Sequence, residues 1–155
     1  MSTKIIHSDP PAVRVNATER ILQSVLAALS EGRISEAVDQ FDNHFIFNDH
    51  ALELEFMDKR RLIEFFEKSR ELFPDTIVAV ASVFECEDHA IAEWNLTATQ
   101  TVPYGSTHYR LPISLRGTSI VQVKDGRVIR WSDYYDQLAS RRFSLAAFFT
   151  EWLGY

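Results

Sequence analysis

The sequence predicts an α+β fold, in which helices come first along the chain and long strands follow. Two observations carry this prediction. Before residue 75, apolar residues recur mainly every three or four positions, as in amphipathic helices, whereas after it they mostly alternate, as in strands. The 155 residues contain no internal repeat and suit a single domain. Helices followed by a run of strands indicate one curled antiparallel sheet packed against the helices.

The composition is that of an ordinary globular protein, and it excludes several function classes. Apolar residues make up 46% of the chain and charged residues 25%, as in soluble domains. The formal net charge of −6 argues against nucleic acid and anionic membranes as partners, because both bind clustered Lys and Arg. No apolar run approaches the ~20 residues of a membrane span, and the N-terminus lacks the core of a secretory signal. With Cys86 as the single cysteine, we expect a cytoplasmic protein.

Residues 1–15 contain two consecutive prolines and are expected to form a flexible N-terminal arm. Residues 16–155 then form one domain that starts with a helix. Asn16 can cap this helix with Glu19 as its capping-box partner, because the two positions have the required spacing. Gly32 can end the helix, since glycine adopts the left-handed conformation without strain.

Three further elements precede the strand-rich half of the chain. A short helix begins at Ile34, and a short strand with aromatic and β-branched residues covers 44–49. A longer helix starts at Asp58 and is ended by Pro74. Its apolar face is expected to comprise Leu62, Phe65, Phe66, Ser69 and Phe73.

Strands dominate the remaining sequence. We expect strands over 76–85, 90–101, 113–123 and 127–136, a long loop over 102–112, and an amphipathic C-terminal helix over about 138–152. The second of these strands alternates clearly, so that one of its faces consists of Ala92, Trp94, Leu96 and Ala98. This face is apolar and is expected to point away from the polar residues between its members.

The last two strands form a hairpin around Asp125 and Gly126, and its register can be argued from the side chains. A two-residue loop pairs Val123 with Val128, whereas a three-residue loop with a left-handed glycine pairs Val123 with Arg127. The three-residue loop separates apolar from polar side chains better along both strands. A slip of one residue exchanges the two faces, so we expect the three-residue register.

This register places Asp133 on the apolar face, beside Trp131 and Tyr135 and opposite Gly117. A carboxylate that faces a glycine between aromatic rings indicates the wall of a cavity. Burying an unpaired charge costs several kcal/mol, so such an acid needs hydrogen-bond donors or a raised pKa. A pKa raised toward neutrality is what a general acid or base requires.

Four segments of the chain carry a family resemblance: FIFND, DKRRLIEFFEKSRELFPD, AIAEWNLTATQT and ISLRGTSIVQVKDGRVIRWSDYYD. In this order they resemble the nuclear transport factor two-like superfamily, and in particular its SnoaL-like polyketide cyclase branch, whose relatives include limonene epoxide hydrolase and ketosteroid isomerase. The resemblance covers roughly residues 17–150. It implies a cystatin-like cone, in which a curved mixed or antiparallel sheet wraps around three N-terminal helices, with a C-terminal helix added.

The resemblance also implies that the interior of the cone binds a small apolar molecule. Asp133 matches the position of an acid/base residue in the cyclases and epoxide hydrolases, and Asn48 falls where the isomerases place their catalytic base. Trp94 and Leu96 stand where the epoxide hydrolases have an Arg and an Asp, so epoxide hydrolysis is disfavoured. No cofactor and no metal are expected. The candidate ligand-binding residues are Trp131, Tyr135, Trp94, Leu115, Ile46, His50 and Phe143.

The polar residues around Asn48 are interpreted from strand alternation. Asp49 should point away from Asn48 and is interpreted as a turn residue. His44 and His50 share the parity of Asn48, which is compatible with metal binding, but no third strong ligand lies nearby in the sequence. A role for these histidines at the pocket rim or the surface is therefore expected.

Two classes of function follow from these features. The first is a cofactor-independent isomerase or cyclase, in which Asp133 moves a proton on a small apolar carbonyl compound. The second is a non-catalytic protein of the same fold that binds a small ligand or serves as a dimeric scaffold. For both, the resemblance implies a homodimer through the outer face of the sheet, which carries Thr97, Thr99, Thr118, Ile120, Ser132 and Tyr134.

Overall fold

The computed structural model describes residues 17–136, apart from the side chains of 102–104, and it confirms the predicted α+β fold. The predicted N-terminal arm, the cap at Asn16 and the C-terminal helix with Phe143 lie outside the described residues. The helices are α1 (Ala17–Ser30), α2 (Ile34–Asp39) and α3 (Lys59–Leu72). The strands are β1 (Phe41–Asp49), β2 (Leu54–Phe56), β3 (Ile77–Cys86), β4 (His89–Tyr104), β5 (Thr107–Lys124) and β6 (Arg127–Tyr135). Within 17–136, no helix is long and apolar enough to cross a membrane.

The ends of the helices follow from local residue chemistry. Gly32 follows α1 with a φ of 74°, as predicted for a left-handed helix end. The carboxylate of Asp58 caps α3 by accepting a hydrogen bond from the backbone N–H of Arg61 at 2.9 Å. Arg70, near the other end of α3, donates hydrogen bonds to the backbone oxygens of Ser30 and Thr76 at 3.0 and 3.1 Å. These contacts tie α3 to the end of α1 and to the start of β3.

The six strands form one mixed sheet in the order β2-β1-β6-β5-β4-β3. Neighbouring strands are antiparallel except β1 and β6, which run parallel. The parallel pairing places Asp49 beside Asp133 where both strands end. Together with the three helices, the curved sheet forms the cone that the family resemblance implied.

The hairpin of β5 and β6 has a different register from the predicted one. Its turn consists of two residues, Asp125 and Gly126, with φ values of 50° and 76°, as a type I′ turn requires. Val123 therefore pairs with Val128. The register then shifts at Ile129, which forms a β-bulge and restores the separation of apolar and polar faces. The prediction was wrong because it did not consider a bulge within β6, beyond the turn.

The bulge decides which residues face each other across the candidate site. Beyond it, Ser119 pairs with Asp133, and Gly117 pairs with Tyr135 instead of the predicted Asp133. The predicted face is nevertheless correct, because Asp133 and Tyr135 point to the same side of the sheet as the buried Trp131.

The predicted loop over 102–112 is wrong, because β4 and β5 continue through it as a two-stranded ribbon. The strands pair as far as Tyr104 and Thr107, which flank a turn containing Gly105 at a φ of 56°. The ribbon contains Pro103 and Pro112, which donate no ladder hydrogen bond. However, β3 pairs with β4 only up to Thr97, and β6 pairs with β5 only from Gly117 onward. Among residues 17–136, the outer edges of the ribbon therefore pair with no further strand, and proline is tolerated at such edges.

Candidate active site

The inner face of the sheet, α1 and α3 surround a cavity of about 350 Å³. This volume lies within the range of small-molecule sites, about 300 to 1,000 Å³. Its lining is mainly aliphatic and aromatic, and Phe65, Phe66 and Phe73 come from the predicted apolar face of α3. The polar residues among its lining are Asp49, Ser69, Arg70, Thr76, Ser119, Asp133 and Tyr135.

Asp133 lies on the cavity wall in a chain of hydrogen bonds that runs across three strands. Its Oδ1 accepts a hydrogen bond from Ser119 Oγ at 2.5 Å and a second from Trp131 Nε1 at 2.6 Å. Ser119 is fully buried, and its Oγ accepts in turn from Trp94 Nε1 at 2.9 Å. Among residues 17–136, both hydrogen bonds to the Asp133 carboxyl end on the same oxygen. Two tryptophans and a serine therefore fix the orientation of this acid.

Burial raises the pKa of Asp133 from 3.8 to about 7. Removal from water is the largest cause, because it penalises the charged carboxylate. The hydrogen bonds from Ser119 and Trp131 act in the opposite direction, since both stabilise the carboxylate. The negative charge of Asp49 adds to the rise. Asp133 is thus a carboxyl group that gains and loses its proton near neutral pH.

A second carboxylate, Asp49, lies beside Asp133 at the end of β1. Its residue is 5% exposed and lines the same cavity. Its Oδ1 accepts a hydrogen bond from the backbone N–H of Leu52 at 2.9 Å, and its Oδ2 accepts one from the hydroxyl of Tyr135 at 2.9 Å. The two donors satisfy one oxygen each, which compensates for the burial of the charge.

Tyr135 completes the polar part of the wall. Its ring lies 6.1 Å from that of Trp94 between centroids. Burial raises the pKa of its phenol above the ordinary value of 10.0, and the charge of Asp49 beside it raises it further. The phenol therefore keeps its proton throughout the physiological pH range.

Gly117 makes room for the tryptophan that supports this network. Gly117 and Trp94 are directly paired across β4 and β5, and the indole lies over the glycine. A methyl group at Gly117 would lie 2.2 Å from Trp94 Cη2. The space that the sequence suggested opposite the acid is thus occupied by an aromatic ring, which donates to Ser119.

A family model identifies the family of this chain. The model of the SnoaL-like domain matches residues 22–131, which is most of the chain. The chain belongs to the SnoaL-like domain family. The family is part of the nuclear transport factor two-like superfamily, so the predicted relationship is confirmed. No curated protein matches the chain by sequence.

Solved structures share the fold of this SnoaL-like domain at low sequence identity. A protein from Jannaschia sp. CCS1 assigned as a SnoaL-like polyketide cyclase is 17% identical, with a TM-score of 0.71 over 86% of this chain and 95% of its own. AclR from Streptomyces galilaeus, assigned as a hydroxylase, is 17% identical, with a TM-score of 0.67 over 80% and 83%. A ketosteroid isomerase-like protein from Catenulispora acidiphila, crystallised with trimethylamine, is 14% identical, with a TM-score of 0.62 over 75% and 85%. These likenesses establish the fold alone.

Four of the predicted ligand-binding residues line the cavity of the SnoaL-like domain: Trp94, Leu115, Trp131 and Tyr135. Trp131 is almost fully buried, and Trp94 is 7% exposed. Both indole nitrogens donate within the site, so these rings combine packing with the orientation of polar groups.

Three other predicted site residues lie on the opposite face of β1. Asn48, Ile46 and His50 do not line the cavity. Ile46 is 38% exposed, and the ring of His50 stacks on Tyr134 with centroids 4.3 Å apart, on the outer side of the sheet. The predicted roles of Asn48 as a catalytic residue and of Ile46 and His50 as ligand contacts therefore have no basis in this geometry. The physical reason is the parity of the strand, which points the other set of side chains inward.

Sequence reasoning missed Asp49 and Ser119. A signal for Asp49 was present, because Phe45 and Phe47 are the bulkier residues of the alternation and precede Asp49 on the same face. Both phenylalanines are buried, and the acid follows them inward. Ser119 carried no comparable signal, since its pairing with Asp133 depends on the bulge.

The histidines considered for metal binding lie apart from the cavity. The side chain of His44 is 99% exposed, and that of His50 packs on Tyr134. Across the described range 17–136, no group of three His, Cys, Asp or Glu residues could hold a metal ion.

Proposed function

We propose that the chain is a cofactor-independent isomerase or cyclase that moves a proton on a small apolar carbonyl compound. One observation carries the proposal: a carboxyl group with a pKa of about 7 forms part of the wall of a mainly apolar cavity. Near neutral pH, such a group is present in both protonation states. It can therefore remove a proton and return it in the same catalytic cycle.

Asp133 supplies both halves of this proton transfer. As the carboxylate, it removes a proton from the carbon next to the substrate carbonyl, and the electron pair of the C–H bond moves into an enolate. For an isomerisation, the acid then returns the proton to another carbon of the conjugated system. For a cyclisation, the enolate carbon attacks a second carbonyl, and the acid protonates the alkoxide that forms. Ser119 and Trp131 hold the carboxyl group in one orientation throughout.

Asp49 places a negative charge beside Asp133, and this charge gives the two acids different roles. Its negative charge favours the protonated form of Asp133. Two neighbouring carboxyl groups in different surroundings often divide acid and base functions between them. We assign the proton transfer to Asp133, because both oxygens of Asp49 already accept hydrogen bonds, one from Leu52 and one from Tyr135.

The family supports this reaction class as an analogy, since one fold hosts many chemistries. Among the solved relatives are proteins assigned as polyketide cyclases and one assigned as a hydroxylase. Epoxide hydrolysis is not proposed, because Trp94 and the apolar Leu96 line the cavity at the positions where the epoxide hydrolases carry an Arg and an Asp.

Hydrogen–deuterium exchange at carbon tests the proposal without knowledge of the natural substrate. The wild-type protein in D₂O should accelerate deuterium incorporation next to the carbonyl of β-tetralone, a small apolar ketone, as followed by NMR. Asp133→Asn should lower the accelerated rate about a hundredfold or more, since general acid/base residues contribute on that order. The matched control is Asp125→Asn in the exposed hairpin turn, where asparagine tolerates the positive φ.

Two results would contradict the assignment. One is an Asp133→Asn variant that exchanges at the wild-type rate. The other is a wild-type protein that binds the ketone, as measured by equilibrium dialysis, without any acceleration; binding without turnover is the alternative function. Urea unfolding of the variant establishes that loss of exchange is not loss of fold.

We also propose that the chain forms a homodimer through the outer face of the sheet. Phe84, Ile91 and Ile120 are cross-strand neighbours on β3, β4 and β5, and Phe84 is 61% exposed. A contiguous apolar row of this kind suits an isologous two-fold contact. Sedimentation velocity at micromolar concentration should give a dimer, and Phe84→Glu should give a monomer. A wild-type protein that sediments only as a monomer contradicts this proposal.

A further inference from the structure

The hydrogen bond between Tyr135 and Asp49 has a fixed direction. The phenol oxygen lies 2.9 Å from Asp49 Oδ2, and an ionised carboxylate can only accept. The single proton of Tyr135 therefore points at Asp49, and what the phenol oxygen offers to a ligand is its lone pairs. Tyr135 lines the cavity, so a group inside meets an acceptor there.

The surroundings of Asp49 maintain this direction. Its other oxygen, Oδ1, is held by the backbone N–H of Leu52 at 2.9 Å, which limits rotation of the carboxylate. The residue is 5% exposed, so water has little access to compete for Oδ2. The phenol also resists ionisation, because burial and the adjacent charge raise its pKa. The pair thus presents one polarity to the cavity.

We propose that the Asp49–Tyr135 pair is a subsite for a hydroxyl group of the substrate. The ligand class is an apolar ring system that carries a phenolic, enolic or alcoholic O–H, which donates to the Tyr135 oxygen. This inference rests on the proposed function only in taking the cavity as the substrate site, and it deepens that function by naming a substrate class. Since Asp49 pairs with Asp133 across the parallel strands, the bound hydroxyl would lie beside the proton-transfer group.

The same geometry excludes an alternative role for Tyr135. A phenol that stabilises a substrate oxyanion must donate its proton to the substrate. Here the phenol already donates its hydrogen bond to Asp49. A bare carbonyl would face the lone pairs of Tyr135 and would gain no hydrogen bond from it. The subsite therefore distinguishes a hydroxyl donor from a carbonyl acceptor of similar size.

Two ligands of nearly equal shape test the subsite by binding alone. β-Naphthol donates an O–H, whereas β-methylnaphthalene carries a methyl group at the same position. Equilibrium dialysis at about pH 7, where a phenol keeps its proton, gives the ratio of the two dissociation constants for wild type and for Tyr135→Phe. The free energy of transferring each ligand out of water is the same for both proteins, so it cancels when the two ratios are compared. The preference for the naphthol should fall roughly three- to tenfold in Tyr135→Phe, the worth of one neutral hydrogen bond.

Asp49→Asn provides a second variant with an opposite expectation. The amide oxygen can keep the hydrogen bond from Leu52, which leaves the amide N–H to donate to Tyr135. The phenol proton is then released toward the cavity. This variant should bind β-acetonaphthone, a carbonyl acceptor, more tightly relative to β-naphthol than the wild type does. The reversal cannot arise from a general loosening of the site.

Three outcomes would overturn the inference. These are wild-type protein that binds neither naphthalene, a preference for the naphthol that stays the same in Tyr135→Phe, and an acceptor preference that is unchanged in Asp49→Asn. Thermal unfolding of each variant identifies misfolding, and either variant alone suffices if the other fails to fold. None of these measurements depends on turnover, so the proton-transfer function can fail while the hydroxyl subsite holds, and the reverse.

Discussion

The stability of the protein should fall as the pH rises from acid conditions to neutrality, and Asp133 should be responsible. The perturbation is Asp133→Asn, which removes the titrating group. The amide oxygen can still accept the hydrogen bonds from Ser119 and Trp131, because it occupies the place of Oδ1. The variant therefore keeps the contacts of the site and loses its proton equilibrium.

The sign and size follow from the two pKa values of Asp133, about 7 in the folded chain against an ordinary 3.8. Between these values the folded protein binds a proton that the unfolded chain has released, so folding is favoured at low pH. Above about pH 7 both states are ionised, and the loss of stability levels off. Each pH unit within this window lowers the free energy of unfolding by about 1.4 kcal/mol. Between about pH 5 and about pH 8, the wild type should lose about 3 kcal/mol relative to Asp133→Asn.

Urea unfolding followed by tryptophan fluorescence measures this quantity at about pH 5, 6, 7 and 8. The gap between the free energies of unfolding of the variant and the wild type should widen in favour of the variant as the pH rises. Asp125→Asn serves as the control, because the gap between it and the wild type should stay constant. A gap for Asp133→Asn that changes by less than about 0.5 kcal/mol over this range refutes the raised pKa. The same result would remove the basis of the proton-transfer proposal.

Two further predictions concern the residues that support Asp133. Ser119→Ala removes a hydrogen bond that lowers the pKa of Asp133. The pH at which the rate of deuterium exchange reaches half its maximum should therefore move upward. An unchanged pH profile would show that Ser119 does not position the acid. Gly117→Ala places a methyl group 2.2 Å from Trp94 Cη2, so the free energy of unfolding should drop by about 1–3 kcal/mol or more as the indole is displaced. The exposed Thr107→Ala beside the turn that joins β4 to β5 should change it by no more than about 0.5 kcal/mol, and equal urea midpoints for the two variants would contradict the packing argument.

Patterns within one segment predicted the larger part of the fold. The apolar face of α3, the left-handed Gly32 and the alternation of β4 all follow from residues close together in the sequence, and the structure has them as expected. The long loop over 102–112 was a failure of the same local reasoning. Proline forbids an interior strand but allows a free edge, and which edges are free depends on where β3 and β6 end.

The candidate site was only partly predictable, because it depends on parity and on a bulge. Alternation along β1 allows either of two sets of side chains to face the cavity. The prediction chose the set with Asn48, whereas the structure has the set with Asp49. For β6, the predicted register was wrong, yet Asp133 was placed on the correct face. The type I′ turn and the bulge at Ile129 together give the side of the sheet that the three-residue loop would have given. The partner of Asp133 differs between the two arrangements, so Ser119 could not be found from the sequence.

The parallel contact of β1 with β6 has a consequence for how the protein is made. Asp49 is synthesised early and Asp133 late, and no local hairpin brings them together. During translation, the first acid therefore emerges with neither its tyrosine donor nor its neighbouring charge. The pairing of β6 with β1 is the event that brings the two acids together. A nascent or truncated chain that stops short of β6 lacks Trp131, Asp133 and Tyr135, and therefore the acid and two of the side chains that surround it.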